Sequence, residues 1–90
     1  MFILSTNCPF TIIDVRPSKE YEKGHVPGAL NIPINEIPVR LQEVDKMPRP
    51  IITYYKSGYY SKAATFYLKQ KGLNEVYNGG SIFDMLRSAQ

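Results

Sequence analysis

The chain has 90 residues, of which 43% are hydrophobic and 21% charged, a composition typical of one ordinary globular domain. No apolar run approaches the roughly 20 residues that cross a bilayer, and the opening residues lack the length and the basic start of a signal peptide. We therefore expect a single domain over residues 1–90, located in the cytoplasm and without a membrane partner.

Cysteine and histidine content limits the chemistry that the chain can perform. Cys8 is the single cysteine, so an internal disulfide is excluded. His25 is the single histidine, and together these two residues do not supply a zinc ligand set. We expect neither a metal ion nor another cofactor.

The charge is distributed unevenly along the chain. The net charge is +3, yet residues 46–74 contain six basic residues and no acidic one, whereas residues 1–45 contain four basic and six acidic residues. This asymmetry can attract an acidic protein or a small anion, or it can be the solvated face of a helix. Nucleic-acid binding is not expected, because no recognised motif accompanies the charge.

The first predicted strand covers residues 11–15, which are nearly all apolar and therefore expected to be buried on both faces. Asp14 interrupts this run, and a buried carboxylate must be paired or hydrogen-bonded. Arg16 stands beside it and can also pair with Glu20 in a short helix that follows, for which Ser18 is the expected N-cap. We expect Asp14 and Arg16 to order the surrounding loops rather than to catalyse.

Gly24 is predicted to end this helix and His25 to open a turn. Histidine is a common general base, but the chain offers no nucleophile for His25 to activate, so a structural role is expected. A second short strand is predicted at residues 29–32. Apolar residues then recur at three- or four-residue spacing over residues 34–44, which predicts an amphipathic helix that begins near Ile37.

The central strand is predicted at residues 51–54 and runs into a loop at residues 55–60. Ser61 is the expected N-cap of the next helix, and Gly72 the residue that ends it. Backbone N–H groups and the positive end of the helix dipole should converge in this loop, an arrangement that suits an anion.

Residues 75–77 are predicted to form a further strand, and Ser81 is expected to cap a last helix. Residues 2–4 can add a short edge strand. Strands that alternate with helices predict an α/β fold, with a small parallel sheet of four or five strands and helices on both faces. A site in such a sheet belongs at the carboxyl ends of the strands, where the loop at residues 55–60 lies.

The central strand, its six-residue loop with Ser-Gly at the third and fourth positions, and the following Ser-x-x-Ala resemble the active-site loop of the rhodanese-like sulfurtransferases. The resemblance spans residues 11–84 and implies the rhodanese-like fold. Further matches to the family are Asp14-Val15-Arg16, Glu20-Tyr21, Gly24-His25-Val26-Pro27-Gly28-Ala29, Asn31-Ile32-Pro33 and Tyr77-Asn78-Gly79-Gly80.

In this family the loop opens with a cysteine that carries a persulfide and usually closes with an arginine or a small polar residue. Tyr55 and Tyr60 stand in these two places here. A phenol has a pKa near about 10 and cannot form a persulfide, so sulfur transfer is lost at its first step. The resemblance therefore implies an inactive relative whose altered loop binds something else. The candidate binding residues are Tyr55, Lys56, Ser57, Gly58, Tyr59, Tyr60 and Ser61.

Three functions remain open. The favoured one is a non-catalytic module that binds an unknown protein or a small anion through the loop. The alternative is a sulfurtransferase that uses Cys8 or a thiol supplied by a partner, although Cys8 precedes its strand and should lie at the sheet edge opposite the loop. The third is a purely structural remnant, which an occluded loop without exposed tyrosines would favour.

Overall fold

The computed structural model describes residues 10–88. Within them lies a sheet of four parallel strands, in the spatial order second, first, third, fourth. The α/β class and the parallel sheet predicted from the sequence are confirmed. The predictions for Cys8 and for a strand at residues 2–4 lie outside the described residues. The strands are Thr11–Asp14 (β1), Leu30–Asn31 (β2), Ile51–Tyr55 (β3) and Val76–Ser81 (β4).

In the described part of the chain, four α-helices connect and flank these strands. The longest follows β3 after two residues, and the last follows β4 without an intervening loop. The helices are Ser18–Lys23 (α1), Leu41–Asp45 (α2), Gly58–Gln70 (α3) and Ile82–Ser88 (α4).

The sheet separates two apolar cores. Successive residues of a strand point to opposite faces, so adjacent isoleucines of β1 and of β3 enter different cores. The first core lies under α2 and α3, and the second contains a residue of α4, so helices cover both faces as predicted. The first core includes Ile13, Val15, Val44, Ile51, Leu68 and Val76. The second includes Ile12, Val26, Ile52, Tyr54 and Met85.

The prediction of one helix from near Ile37 to residue 44 is wrong. A 3₁₀ turn occupies Ile34–Glu36, and α2 begins only at Leu41. Pro38 has no N–H with which to continue the helical ladder, and Arg40 leaves helical geometry at φ −108° and ψ 20°. The apolar spacing is nevertheless satisfied, because Ile37 and Val44 are both buried.

The predicted C-terminus of α3 and the predicted N-cap of α4 are found, whereas the start of α1 is displaced by one residue. Gly72 has φ +93°, and the N–H of Leu73 donates to the carbonyl of Leu68 at 3.1 Å, which closes α3 as predicted. Ser81 Oγ accepts from the backbone N–H of Asp84, whose carboxylate accepts from the N–H of Ser81, so the last cap is confirmed. Ser18 is the first helical residue rather than the N-cap.

Packing and backbone geometry explain why residues 79 and 80 are both glycine. A Cβ on Gly79 would lie 2.9 Å from Ile52 Cγ2 and 3.0 Å from the carbonyl oxygen of Thr53, and would also collide with Met85. Gly80 has φ +88°, a conformation that side chains rarely adopt. The strand predicted at residues 75–77 therefore continues through both glycines to residue 81.

Candidate functional site

A cleft of about 330 Å³ opens at the carboxyl edge of the sheet, as the parallel topology predicts. Its walls come from the segments that follow β1, β2 and β3, so residues distant in sequence meet there. The lining residues are Val15, Pro17, Ser18, Pro33, Ile34, Asn35, Glu36 and Tyr55. The sequence motifs identified only the last of these as part of a site.

The loop after β3 is shorter than predicted. Tyr55 is the last strand residue, and α3 begins at Gly58 with Ser57 as its N-cap residue. The backbone of Ser57 is extended, at φ −128° and ψ 162°, and its side chain makes no capping hydrogen bond. Lys56 and Ser57 alone therefore separate the strand from the helix.

The prediction that Ser61 caps α3 is wrong. Ser61 lies within the helix and is buried, and its Oγ is within hydrogen-bond distance of Asn78 Oδ1 and the carbonyl oxygen of Gly80. Because these two acceptors belong to β4, the hydroxyl links the helix to the sheet, and the N-cap position is occupied by Ser57 instead. Ser61 is thus placed away from the cleft, unlike Tyr55.

The four clustered tyrosines divide between core and surface. Tyr54 is fully buried, as expected for a strand residue, and Tyr55 is half-buried. Tyr59 and Tyr60 are 74% and 47% exposed. The ring centroids of Tyr55 and Tyr60 lie 4.8 Å apart, and those of Tyr60 and Tyr59 lie 5.2 Å apart with the rings edge to face. Three aromatic rings therefore extend from the cleft onto the outer surface.

Lys56 forms an ion pair with Glu20, which the sequence predicted to pair with Arg16. Its Nζ lies 3.2 Å from Glu20 Oε2, and its side chain remains 59% exposed. The expected pairing of Glu20 with Arg16 is not formed, because Arg16 is engaged by Asp14. Since the contact between Lys56 and Glu20 is solvated, it contributes little to stability and leaves the ammonium accessible to an anion.

Asp14 and Arg16 form a buried ion pair next to the end of β1, in agreement with their expected pairing. Arg16 Nη2 lies 2.7 Å from Asp14 Oδ2 and also donates to the carbonyl of Gly24 at 2.6 Å. The hydrogen bonds that Arg16 donates to the Asp14 carboxylate raise the pKa of Arg16 above its ordinary value. This pair fastens the loop after β1 to the end of α1.

Tyr54 completes this buried network, a role that no sequence motif indicated. Its hydroxyl donates to Asp14 Oδ2 at 2.7 Å and accepts from the backbone N–H of Val26 at 3.0 Å. Burial is the main cause that raises the pKa of Tyr54, and the hydrogen bond to Asp14 adds to it. The position of Tyr54 in a buried strand is consistent with an inward-facing side chain, but the sequence did not indicate its partners.

His25 lies outside the cleft. Its ring stacks on Tyr21, with centroids 3.7 Å apart and an interplanar angle of 8°, and its Nδ1 lies 2.8 Å from the carbonyl oxygen of Tyr21. The side chain is exposed and holds the turn after α1.

Within residues 10–88 no three histidine, cysteine, aspartate or glutamate side chains cluster closely enough to hold a metal ion. No helix in this part of the chain has the length and apolar character needed to cross a membrane.

The fold and cleft define a parallel α/β domain with a candidate site at the carboxyl ends of its strands. The model of the rhodanese-like domain matches residues 4–81 of the chain, which therefore belongs to that family. A structure described as rhodanese with anions from E. coli superimposes with a TM-score of 0.73 at 31% identity, over 82% of this chain and 88% of that one.

Two curated relatives extend the comparison. A sulfurtransferase of Allochromatium vinosum is 38% identical over 73 residues, which cover 79% of this chain and 67% of that protein. The HTH-type transcriptional regulator Rv0324 of Mycobacterium tuberculosis is 49% identical over 49 residues, which cover 54% of this chain and 21% of the regulator. The chain thus spans about a fifth of the regulator's length and about two thirds of the sulfurtransferase's.

Proposed function

We propose that this chain is a non-catalytic rhodanese-like domain that binds a protein or a small anion at the loop after β3. The observation that carries the proposal is the side chain at the end of that strand. Tyr55 stands where the family's persulfide-carrying cysteine belongs, and a phenol can neither attack sulfane sulfur efficiently nor hold it. The scaffold beneath it is otherwise intact, with the Asp14–Arg16 pair buried and fully engaged.

The surface around Tyr55 favours a binding function over the hypothesis of a purely structural remnant. The cleft beside it is open, and Tyr59 and Tyr60 expose their rings next to it. Exposed tyrosines are enriched in protein interfaces, since they bury a large area and keep a polar tip. Lys56 adds a positive charge at the same edge. The name of the E. coli neighbour, which mentions anions, is consistent with anion binding in this fold.

The second candidate function is sulfur transfer through Cys8 or through a partner's thiol. Relatives named as a sulfurtransferase and as a putative sulfur carrier protein favour it. In such a step a thiolate attacks the outer sulfur of thiosulfate, the sulfur–sulfur bond breaks, and sulfite leaves with the bonding electron pair.

The two candidates are separated by assaying the purified protein for sulfur transfer from thiosulfate to cyanide. We expect no turnover above that of a Cys8→Ser variant, and no persulfide on Cys8 by mass spectrometry after exposure to thiosulfate. Sustained turnover that the Cys8→Ser substitution abolishes would refute the non-catalytic assignment.

A Tyr55→Cys variant in the Cys8→Ser background tests whether the loop still provides an anion-stabilising environment. We expect the new thiol to titrate below its ordinary pKa of about 8.5, because the N-terminus of α3 and Lys56 favour the thiolate. The titration is followed by ultraviolet absorbance of the thiolate. An unshifted thiol would contradict small-anion binding at this loop.

A further inference from the structure

A second surface groove lies between α3 and β4, outside the cleft that contains Tyr55. Its volume is about 480 Å³, and neither Tyr55 nor any other residue of the first cleft lines it. Two large aromatic side chains are exposed there, Phe66 at 61% and Tyr77 at 44%. The lining residues are Lys62, Thr65, Phe66, Lys69, Tyr77 and Asn78.

The charge of this groove has one sign. Lys62 and Lys69 are its charged lining residues, and none of the six residues is acidic. The nearest acids in sequence are Asp45, well before α3, and Glu75, which does not line the groove. Lys69 Nζ lies 5.9 Å from the centre of the Tyr77 ring, so one ammonium group already lies over the aromatic wall. Within residues 10–88 neither Lys62 nor Lys69 forms an ion pair, so the groove combines apolar contact area with positive charge.

The spacing of the groove-lining side chains along α3 can be compared with that of an extended peptide. Lys62, Phe66 and Lys69 follow one another at intervals of four and three residues, so they lie on one face of the helix. Seven residues of helix separate the two lysine Cα atoms by about 10.5 Å along the axis. In an extended peptide, side chains at positions one, three and five share a face and span about 13 Å. The lysine side chains are long and flexible enough to cover the difference between the helix spacing and the peptide span.

We propose that this groove binds an extended acidic segment of a partner protein, in which an apolar side chain lies between two carboxylates. The carboxylates meet the ammonium groups of Lys62 and Lys69, and the apolar side chain packs on Phe66 and Tyr77. A concave groove with two lysines suits a peptide better than a bilayer, which requires a protruding apolar face. This assignment is independent of what the first cleft binds.

The proposal is tested with a fluorescein-labelled peptide that has the core Glu-Ser-Leu-Ser-Glu, titrated at low ionic strength. We expect saturable binding by fluorescence anisotropy that weakens as salt is added. With nitrogen-labelled protein, the largest amide shifts should fall on Lys62, Phe66, Lys69 and Tyr77. Peptides with lysine in place of both glutamates, or serine in place of leucine, should bind more weakly.

Two double variants with the same change in net charge locate the binding site. Lys62→Glu with Lys69→Glu should weaken binding roughly tenfold or more, because it reverses both charges of the groove. Lys19→Glu with Lys23→Glu places the same charge change on exposed positions of α1 and should change the affinity by less than about twofold. Circular dichroism of both variants checks that each is folded.

Four results would overturn the proposal. They are no saturable binding at about 1 mM peptide, amide shifts confined to residues 55–60, equal weakening by the two double variants, and binding to anionic vesicles without binding to the peptide. Amide shifts confined to residues 55–60 would assign acidic ligands to the first cleft instead, so this groove can fail while the proposed function stands.

Discussion

Two adjacent tyrosines at the end of β3 have opposite environments. Tyr54 belongs to the second core and donates to Asp14, whereas Tyr55 packs against the first core and lines the cleft. The strand period of two produces this difference, because successive side chains leave opposite faces of the sheet. One residue type therefore serves as a buried structural hydroxyl in one place and as a lining residue of the cleft in the next.

Tyr54→Phe tests the buried hydroxyl. The change removes a donor to Asp14 and an acceptor for the N–H of Val26, and it leaves both groups buried without this partner. We expect a loss of about 1–3 kcal/mol in the free energy of unfolding, measured by urea denaturation. Tyr59→Phe is the matched control, and because Tyr59 is 74% exposed it should change stability by less than about 0.5 kcal/mol. Equal effects of the two substitutions would contradict this role of Tyr54.

The difference in stability between the unsubstituted protein and Tyr54→Phe should depend on pH. Burial and Asp14 raise the pKa of Tyr54 above the ordinary value of about 10, so the folded protein retains the phenolic proton that the unfolded chain releases. The stabilising contribution of the hydroxyl is therefore complete below about pH 10 and is lost as the pH rises towards the folded-state pKa. The stability advantage over Tyr54→Phe should shrink in alkaline solution, and an advantage that grew there would contradict the shift.

At the scale of elements, α3 is positioned by polar contacts to the two strands beside it. Thr53 Oγ1 in β3 lies 3.1 Å from the carbonyl oxygen of Ser61 and 2.9 Å from Thr65 Oγ1, and all three residues are buried. Ser61 Oγ adds the contacts to β4. These bonds fix the start of the helix, and with it the loop of the candidate site, against the sheet.

A comparison of Ser61→Ala with Ser57→Ala tests this arrangement. Ser61→Ala removes a buried hydroxyl and its hydrogen bonding to β4, so we expect a loss of about 0.5–1.5 kcal/mol in unfolding free energy. Ser57 stands at the N-cap but makes no side-chain capping bond, so its substitution should cost less than about 0.5 kcal/mol. Thermal or urea denaturation gives both values, and the reverse order would contradict the role of Ser61 in fixing α3 to β4.

At the scale of the whole molecule, the two cores share the same strands. Because β1 and β3 contribute to both faces, neither core can lose its packing without disturbing the strand backbone of the other. This predicts that the domain unfolds in one cooperative transition, as is usual for single domains of this size.

Leu68→Ala and Met85→Ala probe the cores separately. Both side chains are fully buried, the first on the inner face of α3 and the second on that of α4, and each truncation should cost about 2–5 kcal/mol. Either substitution should lower the midpoint of urea unfolding equally by far-ultraviolet circular dichroism and by tyrosine fluorescence. Midpoints that separate between the two probes would show that the cores unfold independently.

The sequence determined the features that depend on local chemistry and periodicity. Continuous apolar runs identified the buried strands, and Gly72 and Ser81 identified helix ends, because these signals depend on residues that are close in sequence. The motifs around Asp14 and Tyr55 identified the family, because the identity of a side chain is independent of its placement.

Tertiary structure decided the features that depend on competition between partners distant in the chain. Glu20 pairs with Lys56 rather than Arg16, and Ser61 bonds to β4 rather than capping α3, because a nearer or better-buried partner exists once the sheet has formed. The first cleft and the groove between α3 and β4 likewise combine segments that no local pattern connects. Local residue preferences select the helices and strands. The contacts between them are selected by the cost of burying a polar group without a hydrogen-bonding partner.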